Sequence, residues 1–188
     1  MFKIDEQLNL VMPLYHGDDI YAWVHSVPLP RAVFEANYRL VAKTFTELFA
    51  DGIANAGGVR IAQLVMRDIA TEDGSQDKYQ AFIAEIRRIT SVLLPSKEGW
   101  SVRLLHDAIH HKLIDEDDSS LVENALVFFT VFSAMLRRQM RLEMLPGAVR
   151  LWGAQISSLS VMALKDTLPT LTTPASSPEE PAVQQVPM

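Results

Sequence analysis

The residues best able to do chemistry lie in "LLHDAIHH", residues 104–111. His106 and His110 stand four apart, and Asp107 follows the first, one carbon short of the H-E-x-x-H zinc pattern. On a helix the two imidazoles sit on neighbouring turns and could both reach one ion, with Asp107 as a short-armed substitute for the glutamate base. A zinc hydrolase also needs a third protein ligand, and nothing nearby has recognisable spacing. Leu104, Leu105, Ala108, Ile109 and Leu113 form the apolar stripe of the same segment, which turns His106 and His110 toward a polar, solvated face.

Other candidates fail on spacing. The acidic run Asp115–Asp118 resembles a calcium loop, but Gly is required at loop position six and Glu at twelve. A start at Asp115 puts Ser120 and Leu126 there, and a start at Asp117 puts Val122 and Phe128 there. Acids at a helix start explain the run better. "GIANAGGVR" lacks the Lys-Ser/Thr of a phosphate loop and follows a helix, so it reads as a stop and restart. The serines of "HSVP" and "SSLS" have no Gly-x-Ser-x-Gly elbow. "RRQMR" is basic without an aromatic stacking set, which argues against nucleic acid. No catalytic, cofactor or metal site is therefore expected, and the chain reads as non-enzymatic.

Composition agrees with that reading. The 188 residues are 48% hydrophobic, enough for one domain with a real core. A formal net charge of -6 opposes general attraction to nucleic acid or an anionic membrane. The absence of cysteine excludes disulfides, iron–sulfur clusters and thiol nucleophiles. Asp5 and Glu6 fall where a signal peptide needs an apolar core. The most apolar run, Ala125–Leu136, is shorter than the roughly 20 apolar residues of a membrane span and reads as a buried core helix.

Periodicity places the elements. Residues 7–27 predict a β-hairpin around "HGDD". Its second strand puts Ile20, Ala22, Val24 and Ser26 on one face and Tyr21, Trp23, His25 and Val27 on the other. Both faces are apolar, so the hairpin must pack on helices or on a second copy of the chain, which keeps self-association open. Phe34, Tyr38, Val41, Phe45 and Leu48 predict a first helix that stops near Gly52. Ile61, Leu64, Val65 and Ile69 predict a second. Tyr79, Phe82, Ile83, Ile86, Ile89 and Leu93 predict a third over 76–94, closed by Pro95. A short helix is expected around 101–113.

Ser120 and Glu123 read as a capping box that opens a long central helix ending at Pro146-Gly147. At about 26 residues it would span roughly 39 Å. Arg137, Arg138 and Arg141 would fall late in it, as the macrodipole prefers. Val149, Trp152, Ile156, Leu159 and Ala163 give a weaker helical pattern over 148–166. The whole predicts a mainly α protein with an N-terminal β-hairpin, an α+β fold of about five to six helices around the long central one. Residues 1–166 form a single domain, and 167–188, with five of the ten prolines, form a disordered tail.

The stretches "NLVMPLYHGDDIYAWVHSVPLPRAVFEANYRLVAKTFTELFADG", "GGVRIAQLVMRDIA" and "LWGAQISSLSVMALKDTLPTLT" carry a resemblance. A hairpin leading through Pro-x-Pro-Arg into an aromatic helix, and a close on "SLS" and "LPTLT", resemble tail assembly chaperones of long-tailed bacteriophages. The resemblance covers about residues 8–173 and brings no diagnostic catalytic or metal motif. It implies binding to the tape-measure protein, help in recruiting tail-tube subunits, residence in the host cell cytoplasm and absence from the mature virion. It also implies, in many members, a longer frameshifted form, for which 167–188 would serve as a linker. A head–tail or tail-completion protein retained in the virion is the alternative. Such a chaperone needs exposed apolar grooves for amphipathic segments. Tyr21 and Trp23 on the hairpin, with Met140, Met144 and Met162 as pliable contacts, are the expected protein-binding residues.

Overall fold

Alternation of apolar side chains along the N-terminal segment folds it back on itself. In a computed structural model, which describes residues 8–50, 57–150 and 152–169, strands β1 (Asn9–His16) and β2 (Asp19–Ser26) pair antiparallel. Gly17 takes φ +61° in the turn, a conformation that favours glycine. The register shifts between Leu14 and Tyr15, a bulge that lets the last residues pair across the turn. Residues 1–7, which include the charged N-terminal start, lie outside the described residues. So do Gly52, the first half of the "NAGG" break, and 170–188 of the expected tail.

The chain continues through α1 (Arg31–Ala50), α2 (Gly58–Glu72), α3 (Gln76–Arg88), β3 (Thr90–Ser96), β4 (Gly99–Leu104) and α4 (Leu105–His110). It closes with α5 (Glu116–Met135), α6 (Arg138–Arg150), β5 (Gln155–Ser157) and α7 (Val161–Thr167). The fold is mixed α+β: seven helices among the described residues and one antiparallel sheet in the order β4-β3-β2-β1-β5. The N-terminal hairpin is thus the centre of a larger sheet.

Period two divides the sheet's side chains. Leu10, Met12, Leu14, Ala22, Val24 and Val92 point to the inner face and join the main core with α1, α2, α3 and α5. α5 is the axis of that core. Every residue from Val122 to Ser133 is buried, so this stretch is apolar all round because protein surrounds it all round. Among the described residues no helix is long and apolar enough to cross a membrane. One acid enters this interior: Glu123 accepts from Arg87 at 2.5 Å and from Gln63 Nε2 at 2.7 Å, tying α5 to α3 and α2.

Several expectations are corrected. The helix expected over 76–94 stops at Arg88, and Thr90–Ser96 is a strand with Pro95 inside it. Ile89 caps the helix and Leu93 continues its spacing by coincidence, while Thr90 and Val92 favour a strand. The helix around 101–113 begins only at Leu105, because Gly99–Leu104 pairs with β3. α5 starts at the cap of Asp115, whose side chain accepts from Asp118 N at 2.7 Å, so Ser120 and Glu123 are not a capping box.

The long central helix breaks at Leu136, which is extended at φ -84°, ψ 142°. The break turns α6 so that Leu145 and Val149 return to the core, which a straight helix would carry past it. Arg137, Arg138 and Arg141 consequently stand at the start of α6, opposite to the macrodipole's preference, and Pro146 lies inside it. The helical pattern over 148–166 resolves into a turn with Gly153 at φ +72°, then β5 and α7.

Two stripes are rotated from their sequence reading. α1 buries Leu40, Val41, Thr44 and Leu48, while Tyr38 is 62% exposed. α2 buries Val59, Ala62, Met66 and Ala70, and Leu64 faces outward. Small residues let α2 lie close to α5, which outweighs burying the larger Leu64.

The burial pattern is measurable by urea denaturation. Phe129→Ala, at a side chain 1% exposed, should lower stability by about 3–5 kcal/mol. Tyr38→Ala should change it by less than about 0.5 kcal/mol, whereas a core position would cost several times more.

Candidate protein-binding surface

The outer face of the sheet presents Val11, Trp23, Leu93, Trp100 and Val102. No helical layer of the main core covers it. Instead the chain's last described residues form a strap. β5 pairs with β1 through Asn9–Ser157, Leu10–Ile156 and Val11–Gln155. Beyond it, Val161, Leu164 and Leu168 settle on the outer face, and Leu164 is buried there. Ser160 caps α7 by accepting from Ala163 N at 3.2 Å.

The sheet holds the strap by its main chain. Asn9 Nδ2 donates to Leu159 O at 2.9 Å, and His25 Nε2 meets the same carbonyl at 2.9 Å. A carbonyl only accepts, so His25 carries its proton on Nε2. Trp100 Nε1 donates to Pro169 O at 3.0 Å. Asn9 and His25 are buried beneath the strap, and the Asn9 Oδ1 acceptor has no hydrogen-bond partner among the described residues. The expected tail beginning at 167 overlaps this strap: Thr167 ends α7 and Pro169 is held by Trp100.

The five expected binding residues separate into two groups. Tyr21 and Trp23 are half-buried and already engaged. Trp23 packs on the outer-face cluster. Tyr21 stacks on His16, with centroids 4.1 Å apart, and donates to Asp118 Oδ2 at the start of α5. Burial first, then the hydrogen bond and charge of Asp118, push the Tyr21 phenol well above its ordinary range. Met140, Met144 and Met162 are 43%, 44% and 56% exposed. Met140 and Met144 share one side of α6, one turn apart, with Leu142 also exposed; Met162 sits on the solvent side of α7.

Sequence reasoning missed the outer-face set Leu93, Trp100 and Val102 with its cover Val161, Leu164 and Leu168. The available signal was the turn chemistry of "PSKEG" between two β-rich runs. Among the described residues His106 pairs with its neighbour Asp107, at 3.1 Å, and His110 lies edge-on to His111. Among the described residues no group of three or more His, Asp or Glu could hold a metal ion. A cleft of about 300 Å³ beside α1, lined by Tyr38, Arg39, Asp73, Ser75 and Lys78, has its carboxylate bound to Lys43 at 2.6 Å. Comparison with protein-family models, curated proteins and solved structures finds no match.

Two solution measurements follow from this geometry. Raising the Tyr21 constant favours the neutral phenol in the fold, so its contribution is complete below about pH 10 and declines as pH rises further. Tyr21→Phe should flatten that alkaline loss of stability, read from urea midpoints across the range. Met140→Ala and Met144→Ala should each change stability by less than about 0.5 kcal/mol, against about 2–5 kcal/mol for Leu145→Ala on the buried side of α6.

Proposed function

We propose that this chain is a non-enzymatic tail assembly chaperone of a long-tailed bacteriophage. It binds amphipathic helical segments of the tape-measure protein, keeps them soluble in the host cell cytoplasm, helps recruit tail-tube subunits, and leaves before the virion is complete. The single observation that carries this reading is the exposed apolar side chains of α6: Met140, Leu142 and Met144 remain in solvent on a helix anchored by Leu145 and Val149. Flexible thioethers adapt to varied apolar partners, as a chaperone with a long client requires. The arginines at its start and the internal Pro146 leave α6 locally weak, which suits a surface that reshapes around its partner. A net charge of -6 limits self-association of such a surface. The quoted stretches that resemble these chaperones supply the identity of the client.

Co-expression with the tape-measure protein of a long-tailed phage tests the reading. The unchanged chain should raise the soluble fraction of that client severalfold and co-purify with it. Met140→Asp with Met144→Asp should abolish this without altering the circular dichroism spectrum. No gain in client solubility contradicts the proposal. Stoichiometric recovery of the chain in purified particles by mass spectrometry would assign it instead to the structural head–tail class.

A further inference from the structure

The strap answers a question that the sheet poses. A face bearing two tryptophans, a leucine and two valines needs a cover, and the chain supplies one by folding back its own last described segment. Recognition of that segment depends little on its sequence. Three side-chain donors, Asn9 Nδ2, His25 Nε2 and Trp100 Nε1, take main-chain carbonyls, and β1 takes three residues of strand. Strap side chains engage through Ile156, which packs on the main core, and through Val161 and Leu164 of a short helix with Leu168 just past its end, which pack on the outer face. The fit is also partial. The strap leaves Leu159 and Met162 in solvent, and among the described residues the buried Asn9 Oδ1 acceptor has no donor.

We propose that the outer face of the sheet is a peptide-docking groove, occupied here by residues 155–169 and opened to a client segment of the same build. That segment has a short extended stretch, then a two-turn amphipathic helix with aliphatic residues at i and i+3, and a further aliphatic residue just past the helix end. Its extended stretch adds to β1 where β5 lies, and its helix replaces α7. The turn at Trp152–Ala154, with Gly153 at φ +72°, is the pivot about which the strap leaves. The groove itself is argued from geometry, and only the natural occupant rests on the chaperone reading. Since the strap is tethered, it competes at an effective concentration in the millimolar range, so a client displaces it only by binding better than this partial fit.

The probe is a fluorescein-labelled peptide of residues 155–169, titrated by anisotropy against the full chain. Leu164→Asp disables the tethered strap and leaves every groove residue intact. This variant should bind the peptide at least tenfold tighter than the unchanged chain. Val161→Asp, at the strap's half-buried edge, should act in the same direction and serves if Leu164→Asp does not fold. The chain has no cysteine, so Val11→Cys with Gln155→Cys, cross-strand partners in β1 and β5, gives a unique clamp. Oxidised, this form should not bind the peptide; reduction should restore binding.

Folded Leu164→Asp and Val161→Asp variants that bind no better than the unchanged chain would overturn the proposal. So would peptide binding by the oxidised clamp. A dimer of the unchanged chain that Leu164→Asp abolishes would make a second copy the occupant and overturn the client assignment. Tight peptide binding by the strap variants, with no effect on tape-measure solubility, leaves the groove standing and removes the chaperone reading. The reverse pattern removes the groove alone.

Discussion

A strand with apolar side chains on both faces cannot stop at one layer of cover, and the rest of this structure follows from that constraint. Leu10, Met12, Leu14, Ala22, Val24 and Val92 draw the helices onto one side of the sheet. Val11, Trp23, Leu93 and Trp100 leave an equally apolar surface on the other. The two sides are covered very differently. The inner face meets several helices packed around α5, whose middle is buried on every side. The outer face meets a seven-residue helix, reached through a three-residue strand that pairs at the sheet edge. Few buried apolar contacts and short hydrogen-bonded elements mark the part of a protein that opens first.

The polar groups reinforce this division. Inside, Glu123 is held by Arg87 and Gln63, and Gln63 N donates to Asn124 Oδ1 at 3.0 Å, so the helical layer is locked by side chains from three helices. Outside, the bonds run from sheet side chains to strap carbonyls, which any docked main chain can supply. α6 connects the two layers. It contributes Leu145 and Val149 to the core and leaves its methionines exposed, and the strap follows directly from its end.

The parts legible in sequence were those with a single strong period. The N-terminal hairpin, α1, α2 and α3 up to Arg88 show it, as does the two-sided character of β2, while Ala125–Ser133 is legible as buried from its apolar composition. What failed had two compatible readings. Leu93 fits a helical stripe and a strand equally well, and only pairing of β3 with β2 and β4 decides for the strand. Leu136 carries no local signal for a break; the need to return Leu145 and Val149 to the core places it. The spacing puts Tyr38 and Leu64 on apolar stripes, but α1 turns Leu40 and Thr44 inward in place of Tyr38, and close approach of α2 to α5 selects Ala62 and Ala70 over Leu64. The exposed methionines could be named from sequence by residue type. The groove could not, because its walls come from four strands whose order no local pattern reveals.

Hydrogen exchange of the intact chain, followed peptide by peptide at neutral pH, tests the separability of strap and core most directly. Amides of residues 155–168 should exchange through a local opening, markedly faster than those of β2, β3 and the middle of α5, while the latter retain the protection of global unfolding. Uniform protection of strap and core, lost together only on global unfolding, would show that the outer cover is an inseparable part of the fold and contradict the account.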